Sequence, residues 1–251
     1  MTDNLKGRTA IVTGASSGIG AATATLLAAR GARVALLARR EERLTGLVQE
    51  IKQAGGEAIA AAADVAGSAS VATAVERVLG VFGGVDLVVN NAGIMLPAPA
   101  EQADLADWES QIDVNVTGAL RVVHALTPSL LRAAATGPAD LINISSIASH
   151  VPFPSFAAYT ASKAAVTHLS ATLRAELGGR GVRVTAVEPG IVATELQGHV
   201  TDPAVNEWLD GVIGSIQVLS AQDVAEVIAF TAAQPAHVNL SRITVYPTRQ
   251  A

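Results

Sequence analysis

The chain has no cysteine among its 251 residues. That excludes disulfides, thiolate metal sites and a cysteine nucleophile. Charge is scarce as well: Asp, Glu, Lys and Arg make up 16% of the residues, and the net charge is −5 with no basic block. Nucleic acid is therefore not the expected main partner. Half of the residues are hydrophobic, with alanine carrying much of that half. Even so, no uninterrupted apolar run reaches the roughly 18–20 residues needed to span a membrane. Met1 to Lys6 carry no apolar signal region, and no histidine pair has metal-ligand spacing. No linker, repeat or low-complexity run interrupts the sequence. These absences point to a cytoplasmic protein that binds no metal and acts on a small molecule. The low charged fraction also hints at surface buried between subunits.

What is present is an alternation of short apolar runs with helical stretches. Strand-like runs occupy Arg8–Thr13, Arg33–Leu37, Glu57–Ala61, Asp86–Val89, Asp140–Ile144, Val182–Val187 and Ser241–Tyr246. Helical patterns fall at Ile19–Arg30, Glu41–Gln53, Ser68–Phe82, Asp107–Ala133, Ala157–Gly178 and Ala221–Ala233. Repeated β–α units with near-continuous apolar strands predict a parallel sheet covered by helices on both faces, with right-handed crossovers. The fold class is α/β: one Rossmann-type, doubly wound domain over residues 1–251, a usual length for such a domain. Residues 194–220 break the alternation with Gly198, Pro203, Gly211 and Gly214, and read as a small helical flap over a substrate.

The first strand runs straight into Thr13-Gly-Ala-Ser-Ser-Gly-Ile-Gly20, which opens a helix. Glycines at 14, 18 and 20 allow a tight turn and close approach to a pyrophosphate, while the helix N-terminus faces the anion. The strand–loop–helix setting is the context such a loop requires. At the end of the second strand, an acid would suit the ribose hydroxyl of NAD and an arginine the phosphate of NADP. Here Ala38 holds the acid position and Arg39 and Arg40 follow. A planar fork of charged donors suits phosphate, so NADP(H) is the expected cofactor.

Tyr159 and Lys163 lie four apart on a predicted helix, and Ser146 lies thirteen positions before the tyrosine. Residues four apart share a helix face. A lysine ammonium beside a phenol is expected to lower the phenol pKa towards neutrality, suiting it to proton transfer near pH 7. The serine hydroxyl suits a carbonyl oxygen as charge develops on it. Such a set interconverts a carbonyl and an alcohol, provided that a cofactor carries the hydride.

These motifs, in this order, resemble the short-chain dehydrogenases/reductases of about 250 residues, over essentially the whole chain. Asp64-Val65 resembles the family's adenine-contacting pair, and Asn90-Asn91-Ala92-Gly93 its segment supporting sheet and ribose. The resemblance implies cofactor contacts at Gly14, Ser16, Ser17, Gly18, Ile19, Gly20, Arg39, Arg40, Asp64, Val65, Asn91, Ala92, Gly93, Tyr159, Lys163, Pro189, Gly190, Val192 and Thr194. It implies Tyr159 as general acid/base, Ser146 as the holder of the substrate oxygen, and Lys163 as the holder of the nicotinamide ribose. Asn115, at a kink in the long helix, would position a water that links Lys163 to solvent. Two departures stand out. Ser17 replaces a common basic residue, and the stretch from His237 to Thr248 stands where the family often has Gly-rich sequence with an acidic residue before the last strand. That stretch, with Glu188 before Pro189-Gly190 and the Thr194-Glu-Leu run, is similar to an NADP-dependent subgroup that includes clavulanate dehydrogenase and bacterial 3-hydroxy acid and serine dehydrogenases. A homotetramer or homodimer built on the long helices is implied too.

The substrate site should lie beyond the C-terminal ends of the strands. Met95, Ser146, Phe153, Phe156, Ile191, Leu196 and Trp208 are its expected lining, with His150 and His199 nearby. That lining fits an uncharged carbonyl or alcohol. Two alternatives keep the fold: a dinucleotide-sensing regulator without turnover, and an enzyme acting on an imine.

Overall fold

A computed structural model describes residues 4–200 and 202–250, with the side chain of His199 outside the described set. Seven parallel strands form the main sheet in the order β3-β2-β1-β4-β5-β6-β9. They are β1 (Thr9–Thr13), β2 (Arg33–Ala38), β3 (Glu57–Ala62), β4 (Leu87–Asn90), β5 (Ala139–Ile144), β6 (Val182–Pro189) and β9 (Arg242–Val245). The helices between them are α1 (Gly18–Ala29), α2 (Glu41–Gln53), α3 (Ser68–Phe82), α4 (Leu105–Ile112), α5 (Gly118–Ala134), α6 (Ala157–Leu177), α7 (Pro203–Ser215) and α8 (Ala221–Ala232).

Side chains alternate across a strand with a period of two, and the core follows that rule. Val12, Leu36, Val89 and Ile142 pack with Leu27 of α1, Leu44 and Ile51 of α2, and Ile228 of α8. Their neighbours Ile11, Leu37, Val88 and Leu141 face the other way, onto Val78 of α3, Leu126 and Leu130 of α5, and Leu177 of α6. Both faces of the central strands are therefore buried, as their unbroken apolar runs require. The strand order reverses between β1 and β4, the switch point at which open parallel sheets bind ligands.

At the opposite, N-terminal end of the strands, Arg8 bridges Asp86 (2.5 Å) and Asp140 (2.7 Å), and Arg183 pairs with both oxygens of Asp140 at 2.7 Å. This buried set ties β1, β5, β6 and the start of β4 together, away from the switch point.

One expected element is not continuous. The single helix expected over Asp107–Ala133 is two helices, α4 and α5, joined by a π-helical turn at Asp113–Thr117. Such turns insert one residue into the helix and often accompany functional positions. Asn115 sits in this one. Beyond β6, two short parallel strands, β7 (Val192–Ala193) and β8 (Leu219–Ser220), pair with each other. The chain between them forms a 3₁₀ turn (Glu195–His199) and α7, which buries only Val205 and Leu209. Among the described residues no helix is long and apolar enough to cross a membrane.

Candidate active site

A cleft of about 360 Å³ opens over the C-terminal ends of the strands. Its first wall is the loop after β1. Gly14 (φ +65°) and Gly18 (φ +53°) adopt left-handed backbone conformations, which favour glycine. A Cβ at Gly14 would lie 2.8 Å from Asn91 Nδ2 and 2.9 Å from Ala92 Cα. The loop is thus pressed against the end of β4, where Thr13 Oγ1 accepts from the backbone N–H groups of Asn91 (3.0 Å) and Ala92 (3.1 Å). No side chain caps the first turn of α1. Its free N–H groups and helix dipole suit an anion, so the loop fits a pyrophosphate. Gly20 is the exception to the expected contacts. It does not line the cleft; it is buried, and a Cβ there would collide with the Gly14 carbonyl. Its smallness lets α1 pack against the loop.

The end of β2 supplies the cations. Arg40 donates through Nε (3.1 Å) and Nη2 (2.9 Å) to Ser16 Oγ, and through Nη2 to Ser17 Oγ (2.8 Å). Its Nη1 reaches Glu195 Oε2 at 2.9 Å, and Arg43 Nη1 reaches Oε1 of the same carboxylate at 2.6 Å. Arg39, Asp64 and Val65 line the same end of the cleft.

At the other end, α6 projects Tyr159 and Lys163 from one face beside Ser146, which follows β5. All three line the cleft and are buried. Lys163 Nζ donates to the Ile144 carbonyl at 2.9 Å and stands 5.7 Å from the centre of the Tyr159 ring. The expected lowering of the Tyr159 pKa does not occur. Burial pushes the phenol up to about 12, only partly opposed by the Ser146 hydroxyl. Burial also brings Lys163 down to about 8. Loss of hydration disfavours both charged forms.

Asn115 does not line the cleft either. From the π turn its Oδ1 accepts from Ile94 N (2.8 Å), and its Nδ2 donates to Ile94 O (2.9 Å) and Ser162 Oγ (3.0 Å). It lies behind Gly93, where a Cβ would approach Asn115 Oδ1 to 3.2 Å and Lys163 Nζ to 3.7 Å. Glycine at 93 therefore keeps a side chain from crowding the Asn115 amide.

The expected substrate lining comes together as well. Met95, Phe153, Phe156, Ile191, Leu196 and Trp208 all face the cleft. The chain has only four Phe, two Trp and two Tyr, and half of these gather here. The Phe153, Phe156 and Trp208 rings lie 6.0–6.3 Å apart, centre to centre, and Phe156 lies 6.5 Å from Tyr159. Among the described residues, the cationic side chains lining the cleft are Arg39, Arg40 and Lys163, and only Lys163 stands at this end.

The backbone beyond β6 closes the cleft with Pro189, Gly190, Val192 and Thr194. Thr194 and Gln197 form a reciprocal cap on the 3₁₀ turn, and Gln197 Nε2 donates to Val192 O at 2.7 Å. Two further side chains brace this end of the cleft. Gln250 Oε1 accepts from Ile191 N at 2.9 Å and fills the space beside Gly190. Glu188 is fully buried and accepts from Ser149, Thr167, Arg242 and Thr244, bracing the loop after β5 against α6 and β9. His150 belongs to that brace through Ser149 and Arg242. Among the described residues no cluster of acidic or histidine side chains could hold a metal.

Comparison with known proteins agrees with this geometry. Residues 8–204 match the family model described as short chain dehydrogenase. Sulfoacetaldehyde reductase 2 of Chromohalobacter salexigens is 42% identical over 244 residues, covering 96% of this chain and 94% of that protein. Serine 3-dehydrogenase of Agrobacterium fabrum is 35% identical, covering 97% and 95%. The structure of a 3-ketoacyl-(acyl-carrier-protein) reductase from Brucella melitensis, complexed with NADH, is 31% identical with a TM-score of 0.87, covering 98% and 100%. The chain belongs to the short-chain dehydrogenase family.

Proposed function

From that membership we propose that the chain is an NADP(H)-dependent oxidoreductase that interconverts an uncharged ketone, or another carbonyl, with its alcohol. The whole chain acts as one unit, with residues 194–220 as the substrate flap. The observation that carries the reading is a buried phenol at Tyr159, beside Ser146 and Lys163, at the far end of a cleft that begins at an uncapped glycine loop.

The glycine loop and the first turn of α1 would hold the pyrophosphate, Asp64 and Val65 the adenine, and Arg39 and Arg40 the ribose phosphate. Lys163 would hold the nicotinamide ribose, and Thr194 with the backbone near Val192 the carboxamide. When bound, a reduced nicotinamide supplies the hydride. The protein's own residues supply the proton. Ser146 donates a hydrogen bond to the carbonyl oxygen and Tyr159 transfers its phenolic proton to it. A phenol whose pKa is about 12 remains an acid throughout the physiological range. Lys163, near 8, sits where it can stabilise and reprotonate the phenolate. Asn115, behind Gly93, would position a water that links Lys163 to solvent, as the family resemblance implies.

The cofactor reading rests on the arginines, since a structural neighbour of this chain holds NADH. A fork already seated on the Ser16 and Ser17 hydroxyls suits a phosphate in the way that an acid would suit a bare hydroxyl. The substrate reading rests on the aromatic wall. One relative is named for sulfoacetaldehyde, an anionic substrate, whereas among the described residues the substrate end here offers no cation besides Lys163. We place the enzyme in the cytoplasm as a homodimer or homotetramer.

The test is NADPH oxidation against a panel of aryl and alkyl ketones, aldehydes, keto-acids and imines. Turnover of uncharged ketones or aldehydes above keto-acids supports the reading. Binding without turnover across the panel, or turnover of imines alone, contradicts it.

A further inference from the structure

The flap and the arginine end of the cleft are joined by one carboxylate. Glu195 opens the 3₁₀ turn after β7, 155 positions from Arg40 in sequence, yet each of its oxygens takes a different arginine. Arg40 is thereby engaged through all three of its guanidinium nitrogens. Its Nε and Nη2 lie on the Ser16 and Ser17 hydroxyls, and its Nη1 lies on Glu195. Arg43 does not line the cleft, but Arg40 and Glu195 do. The flap meets the loop at a second point, because a Cβ at Gly18 would come within 3.2 Å of Thr194 Cβ.

We infer that Glu195 is a cofactor-specificity residue, which opposes the extra phosphate of NADP(H) at Arg40 and so narrows the preference for NADP(H) over NAD(H). The inference rests on the proposed reading that Arg40 receives the adenosine ribose. A ribose phosphate arriving there needs the donors of Arg40 and carries about two negative charges near neutral pH. It meets an anion already bound to the same guanidinium. A ribose hydroxyl carries no charge and meets no such repulsion. Arg43 and Arg40 hold Glu195 down to about 2, so the opposing charge is present at every working pH. The side chains of Arg40, Arg43 and Glu195 are about half exposed, so solvent and salt screen the effect, which is several-fold rather than many orders of magnitude.

The experiment titrates NADPH and NADH separately into the full-length wild type and Glu195→Gln, following dinucleotide fluorescence at low and high salt. Both dinucleotides pass beneath the same flap, so the ratio of their Kd values cancels any general loosening of it. The substitution should raise the preference for NADPH about three- to tenfold at low salt, with a smaller gain at high salt. A ratio unchanged within twofold, or one shifted towards NADH, overturns the role of Glu195. Arg40→Ala is titrated alongside. If the wild type binds NADH at least as tightly as NADPH and Arg40→Ala leaves the ratio unmoved, the underlying cofactor reading is what fails.

Discussion

At one end of the cleft, Arg40 hangs half-exposed between the hydroxyls of Ser16 and Ser17 and the Glu195 carboxylate. At the other, Tyr159, Lys163 and Ser146 are buried beside a wall of aromatic rings, with buried Asn115 behind Gly93. The exposed end keeps its groups ionised and reads charge. Its interactions are modest, screened by salt and adjustable by single residues. The buried end shifts its groups away from their ordinary pKa values and handles protons. Under the proposed function, recognition and chemistry would therefore sit in different dielectric surroundings at the two ends of one cleft. Perturbing each end should give a different signature.

The largest expected effect comes from Lys163→Met. The rate of carbonyl reduction should fall by about 10²–10⁴-fold, the range spanned by loss of a positioned proton-transfer group. Stability should rise instead. The folded-state pKa of Lys163, about 8, lies below the ordinary value of 10.5, so the folded protein binds the proton less tightly than the unfolded chain. Stability then rises with pH from about 8 to 10.5, and at neutral pH the buried charge opposes folding. A methionine removes that opposition, and the thermal midpoint at pH 7 should increase. A variant that is both slower and less stable would mean that Lys163 holds the fold together through the Ile144 carbonyl.

The pH dependence comes next. For NADPH-dependent reduction, kcat/KM should be level below about pH 7 and fall up to tenfold per unit above about pH 8, as Lys163 loses its proton. Tyr159 keeps its own until about 12. NADPH affinity should change much less over the same range, because arginine stays charged. A rate profile level to pH 10 would remove Lys163 from the proton path.

Arg40→Ala has the smallest of these effects. It should reduce kcat/KM with NADPH about five- to tenfold and leave the value with NADH within about twofold. Steady-state kinetics with both dinucleotides, at two ionic strengths, checks it. Equal losses with both would mean that Arg40 serves the loop through Ser16 and Ser17 and not the phosphate.

The sequence carried the frame because the frame is local. Glu41–Gln53 and Ser68–Phe82 end where expected, each followed by a left-handed glycine, Gly55 and Gly83, that stops the helix. The glycine loop was readable because a strand, three glycines and a helix follow one another directly. The interruption of the long helix was not readable as an element boundary. Within it Asn115 bonds both backbone groups of Ile94, 21 positions away, a pairing that no local pattern encodes. Spacing placed Tyr159 and Lys163 on one face but said nothing of burial, so the direction of the phenol shift came out reversed. Glu195 and Gln250 were missed as contributors because their partners lie 155 and 59 positions away. No local pattern encodes such pairings.

The account turns on the buried phenol, and Tyr159→Phe isolates it by removing one oxygen while keeping the ring. NADPH affinity and kcat should be measured on the same preparation, with a ketone that the wild type reduces. The account predicts a Kd within about twofold of wild type and a kcat lower by at least about 10²-fold. A kcat within a few-fold of wild type, with the Kd unchanged, would contradict it.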